Sequence, residues 1–426
     1  MSSILHSLRL GVAIAAFSLL LGSDERVLAQ WNSNSQENPL KEALRKDLQD
    51  YLDTRSTIEH ISTLSMTVSL RGGSTISAAV GTTEYGGRKR VTPDNVFQIG
   101  SNTKAFTSVL LLRLEAEGVL SINDTVGKWL PQYPAWSNVT IQQLLNMTSR
   151  IPTYDNTSAQ ISEYENNPYI ENTLPQLVAF VYPTLGTGTS YEYSNTGYIL
   201  VQMIIDKAYA SMDHRSDVER EEQSNRKDGG NGDKDYYKKA LDKLIDQVGL
   251  HDTYYEPYFY PESVTHRLVS GYYVNTDPPA LTKLLGQDTS RFSLGWAQAA
   301  GGMISTPEDL TKWVRALFEG NVLPPRQLSE LTSLVAIPGG EAIEQTSPAN
   351  PQGFALGLFQ IDDPDLGMFW GYQGSTIGYR AAYAYFPSSG LIICVFTNSQ
   401  APASVSTVNT VLFRSLYDTL KANGKI

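Results

Sequence analysis

The sequence predicts an α+β fold: an antiparallel sheet flanked by helices, interrupted by an inserted all-helical subdomain. Strand patterns stand near both ends of the chain, at residues 64–80 and 369–398. Between about 119 and 290 the chain reads instead as helices and long loops rich in tyrosine and proline. Sheet elements separated by such a block imply one sheet domain with a helical insert.

The elements follow in order. Residues 1–29 read as a signal peptide: Arg9 precedes an apolar run from Leu10 to Gly22, and Val27-Leu28-Ala29 puts small residues at the cleavage positions. The run is too short to span a bilayer comfortably, so the expectation is an exported chain, periplasmic or extracellular, with no stable membrane span after cleavage. A flexible lead-in at 30–39 precedes Leu40–Leu52, whose apolar residues fall at helical spacing. Leu64–Leu70 and Thr75–Val80 alternate around Arg71-Gly72-Gly73-Ser74, the pattern of a β-hairpin. Ser101–Glu117 reads as a helix, with Phe106, Val109, Leu110, Leu112 and Leu114 on its apolar side and Gly118 at its C-terminus. Residues 211–235 hold five basic and eight acidic side chains and almost nothing apolar, which predicts a mobile surface loop. Pro387-Ser388-Ser389-Gly390 marks a turn between strands, and Val405–Leu420 an amphipathic helix. The folded domain is expected over 40–420.

Composition narrows the function. Apolar residues make up 41% and aromatic residues 10% of 426, as in a soluble globular protein. The formal net charge of −11 argues against a nucleic-acid partner. Cys394, the single cysteine, lies in the apolar run Leu391–Phe396, so it reads as a core residue and no internal disulfide forms. Neither His-Glu-x-x-His nor paired cysteines occur, and no metal or other cofactor is predicted.

Ser101 and Lys104 stand three residues apart, which on a helix puts both on one face. A lysine without its proton can activate a serine with no histidine. An unperturbed lysine, with a pKa of roughly 10.4, is only about 0.04% neutral at pH 7. Lowering that pKa by three units costs about 4 kcal/mol, which demands desolvation or a neighbouring cation. Ser224 and Lys227 repeat the spacing inside the charged segment, where a solvated lysine cannot act as a base. The five histidines (His6, His60, His214, His251, His266) stand in no triad context and no Gly-x-Ser-x-Gly elbow occurs, leaving a Ser-His-Asp enzyme as a weak alternative.

These residues resemble the serine β-lactamases and penicillin-binding D-Ala-D-Ala peptidases, closest to the class C β-lactamase and D-alanyl-D-alanine carboxypeptidase branch. Ser101–Lys104 matches the first motif of that family, with Phe97-x-Ile99-Gly100 before it. Tyr-x-Asn, the second motif, occurs from Tyr154, Tyr164, Tyr193 and Tyr273. Only Tyr193-Ser194-Asn195 is followed by Thr196-Gly197-Tyr198 and an apolar helix, so it is taken as the match. Gly371-Tyr372-Gln373-Gly374 aligns with the third motif, but Tyr372 stands where the family usually has histidine or lysine. Leu114–Ser121 and Thr140–Ser149 match further family blocks, with Arg150 in place of a usual glycine.

The resemblance implies a β-lactamase/transpeptidase-like fold and a serine hydrolase without cofactor. It assigns catalysis to Ser101, Lys104, Tyr193 and Asn195, and an oxyanion hole to the backbone N–H groups of Ser101 and Ser375. Tyr372, Gln373 and Gly374 would bind substrate; Arg380 either replaces the missing charge or is a surface arginine. The expected substrate is a small molecule or peptide: a cell-wall D-Ala-D-Ala peptide first, a β-lactam or carboxylic ester as the alternative. A non-turnover penicillin-binding sensor or a pseudoenzyme remains open.

Overall fold

The computed structural model describes residues 39–187, 190–221, 235–277 and 280–426. The predicted signal peptide, nearly all of the lead-in and the Ser224–Lys227 repeat lie outside the described residues. The chain divides after Leu44. In the first unit the described residues are the opening of helix α1 (Pro39–Glu59); the second unit, Arg45–Ile426, carries the rest.

The predicted hairpin forms as strands β1 (Thr63–Ser69) and β2 (Thr75–Gly81). A short strand β3 (Phe97–Gln98) and the 3-10 turn Gly100–Asn102 then lead into helix α2 (Thr103–Ala116). Helices α3 (Asn195–Glu221) and α4 (Tyr236–Val248) dominate the middle of the chain. The short strands β4 (Tyr254–Tyr255), β5 (Tyr272–Tyr273) and β6 (Met303–Ser305) precede helix α5 (Pro307–Glu319). The chain closes with β7 (Leu334–Ala336), β8 (Ala342–Ile343), β9 (Gln352–Phe354), β10 (Phe359–Asp363), β11 (Gly367–Ser375), β12 (Arg380–Phe386), β13 (Leu391–Thr397), β14 (Ser399–Gln400) and helix α6 (Phe413–Ala422).

Nine strands form one antiparallel sheet in the order β2-β1-β13-β12-β11-β10-β9-β7-β8. The N-terminal hairpin joins the C-terminal strands through β1, where Leu64 lies opposite Thr397. Strands alternate their faces, and opposite residues share a face. Tyr372 lies opposite Tyr383, and Ser375 opposite Arg380. The face of Tyr383 and Tyr385 packs on α5, where the Tyr385 ring stacks on Phe318 at 4.7 Å. Behind α5 lies α2, with Phe106 stacked on Trp313 at 3.8 Å. Arg380 and Phe386 occupy the other face, where Phe386 meets Tyr417 of α6 at 5.2 Å. Helix α2 is buried almost all round, as expected of a helix sandwiched between layers.

Local signals set the helix boundaries. The Thr306 side chain caps the N-terminus of α5 by accepting from Asp309 N–H, and Pro307 occupies its first turn. Asp235 caps α4 in the same way.

Three expectations change. The 119–290 insert is not all-helical: β4 pairs with β6 and β5 with β14, both partners lying beyond the insert, so these strands owe their form to distant chain. Residues 211–221 extend α3 as helix instead of forming a loop, since elongating a helix already nucleated costs little for residues such as Glu and Arg. The remainder of the expected loop, 222–234, lies outside the described residues. The last helix begins later than Val405, as a wide turn over Val408–Leu412 that narrows into α6. Cys394 is buried in β13, as expected. Among the described residues no helix is long and apolar enough to cross a membrane.

Candidate active site

The site forms where the end of β11 meets the turn before α2. That approach needs glycine on both sides. A Cβ on Gly374 would lie 1.9 Å from the Ile99 carbonyl oxygen, and one on Gly100, whose φ is +50°, would lie 2.5 Å from that of Ser375. Asn102 Nδ2 pins the turn by donating to the carbonyls of Ile99 and Ala381, each at 2.8 Å. Ser101 is thereby left half-buried on a cavity of about 280 Å³, whose walls include Tyr193, Asn195, Gln373 and Ser375.

Lys104 follows one helical turn later and is wholly buried. Its Nζ lies 3.0 Å from Ser101 Oγ, 2.7 Å from Asn195 Oδ1 and 2.8 Å from the Ala300 carbonyl. Burial pulls its pKa down to about 7, against an opposing pull upward from Asp155. The desolvation expected of the apolar helix is therefore sufficient without a second cation. Asn195 Oδ1 and the Ala300 carbonyl can only accept, so they take two amine hydrogens. In the neutral amine the lone pair is then left to Ser101.

Tyr193 immediately precedes α3 and Asn195 opens it, so the Tyr-Ser-Asn spacing places both against Ser101 and Lys104. The Tyr193 hydroxyl donates to Ser101 Oγ at 2.7 Å and lies 3.0 Å from the Tyr372 hydroxyl. Burial pushes the Tyr193 pKa up to about 12, while its bonds to Ser101 and Tyr372 restrain the rise and Asp155 adds to it. Burial, with Tyr193 beside it, holds Tyr372 well above the ordinary phenol value. Both phenols therefore keep their protons at neutral pH, and the donor chain runs from Tyr372 to Tyr193 to Ser101 to Lys104.

Of the four Tyr-x-Asn copies, only the one at Tyr193 places its tyrosine hydroxyl on Ser101. The third motif is placed differently from expectation. Tyr372 is 5% exposed and lies outside the lining of the Ser101 cavity; its ring packs on Phe359 at 5.1 Å and its hydroxyl meets Tyr193, so it backs Tyr193 instead of facing a ligand. Gln373 does line the cavity, and Gly374 serves the close approach described above. Arg380 does not replace the missing cation. It sits opposite Ser375, three residues out of register with Tyr372, and strand alternation sends it to the other face of the sheet. It is buried there, with Nη2 donating to the Ala401 carbonyl.

Sequence reasoning missed two contributors. Asp155 Oδ2 accepts from Asn195 Nδ2 at 2.8 Å, which fixes the amide so that Oδ1 faces Lys104. Its signal lay in Tyr154-Asp155-Asn156, one of the Tyr-x-Asn copies set aside. The Ala300 carbonyl leaves no mark in a sequence. It follows Gln298, a buried non-glycine residue at φ +41°, whose neighbour Ala299 donates its N–H to Gln202 Oε1 at 3.0 Å. Arg150 has φ +62°, the left-handed region that explains why glycine is usual at that position.

Known proteins share this arrangement's fold and family. The family model described as Beta-lactamase matches residues 48–415. Penicillin-binding protein 4* of Bacillus subtilis (strain 168) is 23% identical over 394 residues, covering 89% of this chain and 78% of that protein. Protein flp of Staphylococcus aureus (strain COL) is 26% identical over 381 residues, covering 86% and 67%. Among solved structures, D-amino acid amidase from Ochrobactrum anthropi SV3 complexed with D-phenylalanine superposes with a TM-score of 0.70 at 22% identity, covering 91% of this chain and 100% of that one. A class C beta lactamase superposes at 0.63 and 18% identity, covering 90% and 98%.

Proposed function

From the premise that this chain belongs to the Beta-lactamase family, we propose that it hydrolyses amides or esters through an acyl-enzyme on Ser101. Neutral Lys104 takes the Ser101 proton as Oγ bonds to the substrate carbonyl carbon. The carbonyl oxygen becomes an oxyanion between the N–H groups of Ser101 and Ser375, whose residues both line the cavity. Tyr193 donates its proton to the departing amine or alkoxide, and Lys104, whose Nζ stands 4.9 Å from the centre of the Tyr193 ring, returns the serine proton to the Tyr193 oxygen. Water then attacks the acyl carbonyl, giving its proton to the same network and releasing Ser101. Asn195 holds Lys104, and Tyr372 steadies the Tyr193 oxygen by hydrogen bond.

One observation carries the substrate reading. A neutral, buried phenol stands where a cation would hold a substrate carboxylate, and no Lys, Arg or His lines the Ser101 cavity among the described residues. Substrates without a terminal carboxylate are therefore favoured: simple amides and esters, of which amides are the class for which the amidase neighbour is named. The second reading is the D-alanyl-D-alanine carboxypeptidase or β-lactamase expected at the outset, supported by the likeness to Penicillin-binding protein 4*. Export through residues 1–29 belongs to the same proposal and is checked by N-terminal sequencing of the mature chain.

A p-nitrophenyl ester, an amino-acid amide, a D-Ala-D-Ala peptide and a chromogenic cephalosporin, assayed in parallel, separate these readings. Ester and amide turnover that disappears in Ser101→Ala is the expected result. Turnover confined to the peptide or the cephalosporin would establish the second reading. A fluorophosphonate that labels Ser101→Ala as well as the wild type would remove Ser101 as nucleophile.

A further inference from the structure

The Ser101 cavity continues into another of about 300 Å³, the two sharing Asp155, Trp296 and Ser375. The walls of this second cavity include Asn275, Asp277, Thr376 and Gln400. It presents two carboxylates, and among the described residues its lining includes no Lys, Arg or His. Arg380 lies near enough to Asp277 and Glu59 to interact with both electrostatically, but its Nη2 is turned to the Ala401 carbonyl and it forms no part of the lining.

The polar groups of this cavity have an unusual feature. Thr376 is 4% exposed, and its hydroxyl has no hydrogen-bond partner within the protein; Gln400 Oε1 is likewise buried without one. A buried acceptor left unmade costs on the order of 1–3 kcal/mol, so folded proteins seldom leave two in the lining of one cavity without use. Asp155 already accepts from Thr153 and Asn195, and Asp277 accepts from Ala403 N–H at 2.8 Å; a carboxylate has about four acceptor sites, so each keeps capacity. Gln400 Oε1 can only accept and the Thr376 hydroxyl can accept or donate; both atoms are closed to solvent, and a turn of either side chain adds it to two carboxylates that suit a donor-only group.

We infer that the second cavity receives a protonated amine carried by the substrate, held by Asp277, Asp155, Thr376 and Gln400 while the scissile carbonyl lies at Ser101. An ammonium has three hydrogens and no acceptor, and so complements this wall. The inference rests on the hydrolase reading above and narrows it. The favoured substrates become amino-acid amides or esters and peptides with a free amine near the bond cleaved. The substrate would then be recognised by a cation held in the second cavity, and not by the carboxylate that the family resemblance placed at Tyr372.

The test is a matched pair of substrates, phenylalanine p-nitroanilide of either hand and its N-acetyl counterpart, assayed at pH 7 in low salt. The free amine should be favoured by about tenfold or more in kcat/KM, mainly through KM, and the preference should shrink as salt screens it. Asp277→Asn should bring the ratio toward one, Gln400→Glu should raise it several-fold, and Asp246→Asn, on the exposed surface of α4, should leave it as in the wild type. Equal or better turnover of the N-acetyl substrate would overturn the inference, as would a preference that Asp277→Asn and Gln400→Glu both leave untouched. Either result, with p-nitrophenyl acetate still hydrolysed in a Ser101-dependent way, leaves the hydrolase reading standing. Ser101-independent hydrolysis of all three substrates would remove both.

Discussion

Lys104 and Arg380 are both buried cations, 0% and 6% exposed, and burial pulls both below their ordinary pKa. Their surroundings differ. Lys104 stands on the Tyr193–Tyr372 side of the sheet among neutral acceptors, with Asp155 one residue removed behind Asn195. Arg380 stands on the opposite face, with Glu59 the foremost group favouring its charge and the Ala401 carbonyl as its bonded partner. Lysine can answer desolvation by giving up its proton, and at a pKa of about 7 it does so for roughly half the molecules at neutral pH. A guanidinium cannot, so its burial must be answered with compensating groups. The same desolvation makes a base of one cation and a structural fixture of the other.

Removing Lys104 should have the largest effect. Lys104→Met should lower kcat/KM about 10³-fold or more, the scale of a lost general base. The wild type should gain activity toward a neutral ester as pH rises through about 7, because only the neutral amine accepts the serine proton. The stability signature is separate. The folded-state pKa lies below the unfolded value, so between about 7 and 10 the unfolded chain holds more protons and stability rises with pH. Measured against Lys104→Met by urea unfolding, that gain should be about 1.4 kcal/mol per pH unit, vanishing below about pH 6. A flat difference across that window would show that Lys104 is not held neutral, and the contrast with Arg380 would collapse.

Tyr372→Phe comes next. It removes the donor to the Tyr193 oxygen without opening a cavity, and should lower kcat about tenfold, the worth of one buried hydrogen bond. KM for a neutral ester should hardly change, because Tyr372 lies outside the cavity lining. A rise in KM with kcat intact would instead place Tyr372 in contact with substrate. Asp155→Asn should act mainly on position along the pH axis. Asp155 raises the Lys104 pKa, so its neutral replacement should move the acid limb below about 7, with the plateau reduced only a few-fold. A limb moving upward would refute the assigned electrostatic role.

How much of this was legible depended on where the physical signal resides. The hairpin, α2 and the buried β13 were readable because turn residues and apolar periodicity are local. Ser101 and Lys104 were readable because helix geometry converts their spacing into adjacency, whereas Tyr193 and Asn195, distant in the chain, were found only through the resemblance to the family's second motif. Strands β7 to β10, of two to five residues, escaped because pairing across the sheet forms them, not their own composition. Asp155 escaped because its value lies in orienting another side chain, and the Ala300 carbonyl because backbone acceptors have no sequence identity. The face occupied by Arg380 was in principle countable from strand parity, but only once the register with Tyr372 was known.

The smallest expected effect on activity is that of Arg380→Met. The substitution keeps most of the aliphatic stem and removes the charge, leaving the Ala401 carbonyl without its partner, while Glu59 keeps Arg55 at 2.8 Å. Because Arg380 Nε is itself buried without a partner, the net loss should be modest, about 1–2 kcal/mol in urea unfolding. Toward a neutral ester, kcat and the acid limb near 7 should match the wild type, since desolvation and Asp155 account for the Lys104 shift with no contribution from Arg380. The sheet lies between the two groups, and the acceptors of Lys104 come from α3 and the segment before β6, neither of which bonds to Arg380. A downward or upward movement of that limb in Arg380→Met would mean that the charge on one face of the sheet tunes the base on the other, and the two cations would have to be treated as one coupled system.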